Sequence, residues 1–288
     1  MMNGLRSWFI SIGGHGIDLQ LGILASLATA GIVAIVNRFR QLLNKRSRIR
    51  KFFGKSSQNF MLFTGQIYFN PSNHRYMAAG DIKSVLCLTL NIHSIFKLKK
   101  IPHKFSDEAV ISQDLRENII TIGGPKFNTV TRVMIDKYNQ MIPSFPAKFN
   151  GNSIYINAVN ARGETFQKQF CLKRHNGTLI DDYGLLIRGI NPFDDTNSSL
   201  SWVIAGSGSN GVIASVDQMS HFIHGFQVRF RRLYKFLYSG AIGIVVVKAN
   251  FFEGEYVSSN PVFYAVYKPS NRPFLKKKFN WEFRNLDI

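Results

Sequence analysis

The chain is poor in acid. Only 17 Asp and Glu stand against 36 Lys and Arg in 288 residues, a formal net charge of +19. That imbalance excludes a nondescript neutral enzyme and points to anionic partners, whether lipid, phosphate or nucleic acid. Cysteine is nearly absent too: Cys87 and Cys171 lie 84 positions apart. No disulfide framework or Cys-x-x-Cys metal or redox site is available, and the composition suits a reducing cytosol. Catalytic signatures are equally thin. Ser207 and Ser209 lack the Gly-x-Ser-x-Gly setting of a hydrolase elbow, and no Gly-Lys-Ser/Thr of a P-loop follows the glycines around them. His221 and His224 stand three apart on a predicted helix without a set of further ligands to complete a metal site. No catalytic residue, cofactor or metal is therefore assigned.

What is present begins with one long uncharged run, Leu19–Val36. As a helix its 18 residues would rise ~27 Å against a hydrocarbon core of ~30 Å. Its only polar side chains after Gln20 are the small hydroxyls Ser26 and Thr29, so it predicts a single transmembrane helix rather than a half-buried core helix. A secretory signal peptide is the competing reading, because Ala28-Thr29-Ala30 mimics a small-residue cleavage site. Against it, Arg38, Arg40, Lys45, Arg46, Arg48, Arg50, Lys51 and Lys55 follow at once with no acid among them. Such charge resists translocation and draws a chain to anionic lipids. The expected organisation is an extracytoplasmic tail (1–18), a span (19–36) and a basic juxtamembrane segment (37–58). A cytosolic α/β domain (59–288) completes it, with the protein in the cytoplasmic (inner) membrane, N-terminus out. Gly22, Ser26, Ala30 and Ala34 recur every fourth residue, a small-residue stripe that predicts self-association of the span into a homo-oligomer.

Beyond residue 58 the pattern becomes segmented. Residues 60–69 read as a strand, and Asp81 is placed to cap a helix over 82–96. Asn118–Ile122 reads as a short buried strand, Gly123-Gly124-Pro125 as a tight turn, and Asn128 or Thr129 as the cap of the next helix. Strands are expected in 150–190, at 201–205 and in two late apolar segments. Gly206, Ser207, Gly208, Ser209, Asn210 and Gly211 lead into a further helix. Phe226–Tyr238 is basic and amphipathic, fit for an interface or for nucleic acid, or for an ordinary surface helix. The economical fold is α/β: a Rossmann-like sheet flanked by helices, behind the single transmembrane helix.

A glycine turn between strand and helix lets backbone N–H groups face an anion. The 206–211 turn is the first candidate for a phosphate-type ligand, and Gly123, Gly124, Asn128 and Thr129 are the second. Arg188, Asn191 and Asp194 leave a third strand and are candidates to join them in one crevice. The alternatives are structural turns and a surface arginine, and Asp181-Asp182 and Asp194-Asp195 read equally as turn caps.

Four segments, AAGDIKSV, ITIGGPKFNTVTR, DYGLLIRGINPFDD and WVIAGSGSNGVIAS, together resemble the cytosolic α/β domain of prokaryotic membrane-anchored defence proteins, similar to the transmembrane partners of short prokaryotic Argonautes. The likeness covers about 80–220. It implies a Rossmann-like domain and an antiviral effector with a defence-system protein partner, and it carries over no catalytic residues. The expected function is a single-pass effector whose cytosolic domain binds a nucleotide or phospholipid headgroup and whose assembly perturbs the membrane. A nucleotide- or nucleoside-processing enzyme is the alternative, as is a membrane-tethered nucleic-acid binder, which charge alone favours less.

Overall fold

The computed structural model describes residues 29–38, 60–69, 74–96, 102–108, 114–142, 144–159, 162–196, 199–224, 242–267 and 281–286. The chain divides into two compact units, residues 1–47 and 48–288. In the first, residues 29–38 form a helix, α1, exposed throughout.

The membrane-helix expectation is corrected here: among the described residues no helix is long and apolar enough to cross a bilayer. Of the run Leu19–Val36, residues 29–36 lie on α1 and residues 19–28 lie outside the described residues. The segment 1–18, expected as an extracytoplasmic tail, also lies outside them, as do Gly22, Ser26, Arg40, Lys45, Arg46, Arg48, Arg50 and Lys51. Ala30, Ala34 and Arg38 sit on α1.

The second unit is mixed α/β and rich in strands. In chain order it runs β1 (Phe60–Thr64), β2 (Ile67–Phe69), β3 (His74–Tyr76), α2 (Ala79–Phe96), β4 (His103–Phe105), a 3-10 turn (Asp114–Arg116), β5 (Asn118–Ile122) and α3 (Thr129–Met141). There follow β6 (Ala147–Asn150), β7 (Ser153–Val159), β8 (Thr165–Phe170), β9 (Lys173–His175), β10 (Thr178–Ile190), β11 (Leu200–Gly206) and α4 (Ser209–His224). Three late strands, β12 (Ile242–Phe252), β13 (Glu255–Tyr267) and β14 (Trp281–Asn285), complete it.

The main sheet has the order β14-β13-β12-β10-β11-β5-β1-β4, with β9 paired onto β10. One half, β4, β1, β5 and β11, is parallel, and the other is an antiparallel meander from β10 through β12 and β13 to β14. The Rossmann-like sheet flanked by helices that the sequence suggests is thus a mixed, strand-rich one. The long partners Ile242–Phe252 and Glu255–Tyr267 are joined through a two-residue turn at Glu253-Gly254, a connection too short for a parallel crossover.

Both faces of the sheet are covered, which is why β5 and β11 are apolar runs buried almost end to end rather than alternating. On one face Phe60, Leu62, Ile120, Trp202, Ile204 and Leu186 meet Leu88 of α2 and Val212, Val216 and Met219 of α4. On the other, Phe63, Ile119, Val203, Leu185 and Phe263 meet Met134, Ile135 and Tyr138 of α3 and Ile154, Ile156 and Phe170 of the small β6-β7-β8 sheet. The chain leaves β1 through α2 to β4 on one side and returns to β5 on the other. The carboxyl ends of β1 and β5 therefore flank a topological switch point, where open α/β sheets take ligands.

Candidate functional site

Two glycine turns and the start of α2 meet at this carboxyl edge. The turn after β5 reaches across to β11, with the Gly123 amide donating to the Ile204 carbonyl at 2.9 Å. Gly123 has φ +109°, and a Cβ there would lie 2.7 Å from Oδ2 of Asp81, so this position admits only glycine beside that carboxyl. At Gly80 a Cβ would fall 2.6 Å from the backbone of Ser209, so the start of α2 is wedged between the β5 turn and the start of α4.

Gly206, Gly208 and Gly211 have the Gly-x-Gly-x-x-Gly spacing of a phosphate turn between strand and helix. The anion that fills it is internal. Asp182 of β10, fully buried, accepts the Gly211 amide at 2.8 Å, the Ser207 hydroxyl at 2.8 Å and its neighbour Tyr183 amide at 2.8 Å. Burial pushes its carboxyl up, and these bonds, with one from the Gly208 amide, pull it back. A Cβ at Gly208 would sit 2.5 Å from Leu172 and 2.7 Å from Asp182. The close approach that these glycines permit is thus to the protein's own carboxylate, which takes the amides a phosphate would need. Ser207 is buried in this cluster, while Ser209 is exposed and Asn210 half-buried.

The second turn is capped in the same way. Asn128 is the N-cap of α3, as its place in the sequence indicates, and Oδ1 accepts the Thr131 amide at 3.0 Å. Its Nδ2 donates to the Ile122 and Phe63 carbonyls at 2.9 and 3.3 Å, so one buried amide ties β1, β5 and α3 together. Thr129 is exposed, and its backbone amide donates to the Ser106 hydroxyl at 3.2 Å. Gly124 lies against Gly206, which joins the two turns.

Arg188, Asn191 and Asp194 are not brought to this edge. Register pairs Gly184 with Gly206 but Ile190 with Leu200, so Asn191 leaves the opposite end of the strands, ~20 Å away. Arg188 is 2% exposed and paired with Trp202 inside the sheet. Asn191 donates to the Leu115 and Glu117 carbonyls, both at 2.7 Å, and accepts the Phe193 amide. Asp194 accepts the Thr196 amide and hydroxyl and the Ser199 amide. The capping alternative for these acids therefore describes both Asp182 and Asp194, and the 188–194 segment anchors a loop.

The side chain that stands out is Asp81. It is not the cap of α2, which starts two residues earlier, but a first-turn residue on its buried face. It is 5% exposed, and burial alone raises its carboxyl from 3.8 to about 6. Among the described residues no hydrogen bond or ion pair reaches it. Three residues on, and so beside it on the helix surface, Ser84 is 1% exposed with a hydroxyl that has no partner. The buried Ser84 hydroxyl is thus left without a partner beside a carboxyl that accepts no hydrogen bond among the described residues, an arrangement native cores rarely tolerate without a ligand or water. The sequence signal was there, in an acid three residues before a serine at the start of a helix, but the same pattern is that of an ordinary cap.

His221 lies 3.8 Å from Asp217, whose other oxygen accepts the Tyr256 and Ser259 hydroxyls. No group of three or more side chains suited to a metal occurs among the described residues. The basic segment 226–238 lies outside them. Comparison with known proteins finds no family model and no curated protein that matches the chain.

Proposed function

We propose that the α/β unit is a nucleotide-binding module whose ligand lies in the crevice between α2 and the β5 turn, with its sugar hydroxyls on Asp81 and Ser84. The observation that carries this reading is the unpartnered carboxyl of Asp81 at the switch point. A buried acceptor of this kind gains most from a ligand that brings hydroxyl or amine donors, and a ribose does so. The starts of α3 and α4 are spent on Asn128 and Asp182, which moves the site from the 206–211 turn towards α2. The likeness to antiviral effectors supports placing this binding step upstream of assembly with a defence-system partner.

The test is calorimetric titration of ATP, AMP and NAD into the full chain and into Asp81→Asn. Saturable binding of one of them by the wild type, weakened about tenfold or more in the variant, is expected, since a charged acceptor of buried hydroxyls is replaced by an amide. No binding to either chain, or equal binding to both, removes the crevice from consideration. A second reading, a nucleoside-processing enzyme, is favoured by one observation: a carboxyl shifted to about 6 suits proton transfer near neutrality. Turnover of the bound nucleotide, followed by chromatography and lost in Asp81→Asn, separates it from binding alone.

A further inference from the structure

The face of the sheet opposite to α2 carries a cleft that the crevice does not involve. It is an open cavity of about 350 Å³ between the outer side of α3 and the β6–β7 hairpin. Lys126 enters it from the turn before α3, Arg132, Asp136 and Asn139 from successive turns of α3, and Lys148 and Phe149 from β6. Arg132, Asp136 and Asn139 follow the spacing of one helix face, so that face presents hydrogen-bonding groups along the cleft, and Ile135 between them lines its floor where it packs into the core.

Three cations from three elements converge here on one acid. Elsewhere in the unit Lys104 pairs with Asp114 at 2.6 Å and Lys248 with Asp181 at 2.7 Å. Lys126, Arg132 and Lys148 have no carboxylate partner among the described residues, although Asp136 lines the same cavity. Lys126 is instead held over the Phe127 ring, 5.2 Å from its centroid. Like charges gathered without counter-ions repel one another, and a bound anion relieves that repulsion. Asn139 spends its amide nitrogen on the Ile135 carbonyl at 2.9 Å, leaving its oxygen as an acceptor beside Asp136. Half-buried Phe149 offers an apolar wall.

We propose that this cleft is a second anion site, distinct from the Asp81 crevice, that takes a small phosphorylated ligand. Arg132 and Lys148 grip the phosphate from opposite walls and Lys126 closes on it. Phe149 carries the uncharged remainder of the ligand. A volume of about 350 Å³ matches the smaller ligand pockets of proteins and sets the size at a sugar phosphate or a mononucleotide. The cations converge on one cavity instead of tracking along a surface, which favours a small ligand over a nucleic-acid strand.

The probe is inorganic pyrophosphate, which has no sugar for Asp81 and so separates this site from the crevice. Calorimetry on the full chain is expected to show saturable binding. Arg132→Glu and Lys148→Glu, both at exposed positions, should each weaken it about tenfold or more, and Asp136→Asn should strengthen it several-fold by removing the single acid. Asp81→Asn should leave it unchanged. Absence of saturable binding, or equal affinity in wild type and both charge reversals, overturns the proposal. So does tight binding of a single-stranded oligonucleotide, steeply salt-dependent, that survives where pyrophosphate does not compete.

Discussion

Replacing Asp81 by asparagine tests the crevice through stability before any ligand is known. The two side chains have nearly the same shape, so what changes is the ability to ionise. Burial raises the Asp81 carboxyl from 3.8 to about 6. About two pKa units, at ~1.4 kcal/mol each, amount to about 3 kcal/mol of penalty on the ionised form. The position of Asp81 in the first turn of α2 works the other way, because a helix N-terminus favours an anion by up to about 1 kcal/mol. The net cost is therefore about 2–3 kcal/mol. Well below pH 3.8 the carboxyl is protonated in both folded and unfolded chains and there is no penalty, and near pH 4 the penalty is still small. Between about 4 and 6 the folded chain keeps a proton that the unfolded chain has released, so stability falls as pH rises, and above about 6 the full penalty is in place. Asp81→Asn is thus expected to lie close to the wild type near pH 4 and to exceed it by about 2–3 kcal/mol near pH 8. For a unit of this size that is a rise in Tm of about 4–12 °C. Urea denaturation and thermal melting across this range read the difference directly. A variant no more stable than wild type near pH 8, or a gap that does not close towards pH 4, refutes the reasoning. The first outcome would mean that Asp81 is already compensated; the second, that its ionisation is not what the substitution removes.

Two further substitutions test the frame around the crevice. Asn128→Ala should lose the α3 cap and leave the Ile122 and Phe63 carbonyls without their amide, a cost of about 2–3 kcal/mol in urea denaturation; a loss under about 0.5 kcal/mol would deny Asn128 its joining role. Gly208→Val should destabilise the unit by about 2 kcal/mol or more, since its Cβ meets Leu172 and Asp182. A folded variant with unchanged Tm would show the turn to be looser than its packing indicates.

Much of the local structure was legible because short-range chemistry determines it. Asn118–Ile122, the Gly123-Gly124 turn and the Asn128 cap form one continuous signal, and the structure places strand, turn and helix at those residues. Residues 60–69 were less clear: one apolar run splits into β1 and β2 at Gly65-Gln66, whose backbone bonds to Ile122 and Phe127 on a different element. Sheet direction was not legible at all, since the apolar runs of parallel β11 and antiparallel β12 look alike in sequence. Nor was the occupancy of the 206–211 turn, because the carboxylate that fills it comes from Asp182, 24 residues upstream of the turn's first glycine, and only pairing of β10 with β11 brings it there. The place of Arg188 was hidden for the same kind of reason: its sequence neighbours suggest a strand end, but register puts it inside the sheet, away from the two turns.

The central claim is that Asp81 is a ligand-facing carboxyl, and its own titration tests that most directly. Carboxyl-carbon NMR of the labelled full chain gives the pKa of Asp81 without ligand and in the presence of saturating AMP, ATP or NAD. Titration at about 6 is expected in the free protein, with a displaced resonance and altered titration when one of the nucleotides is bound. A carboxyl that titrates near its ordinary 3.8, with a resonance indifferent to every nucleotide, would contradict it.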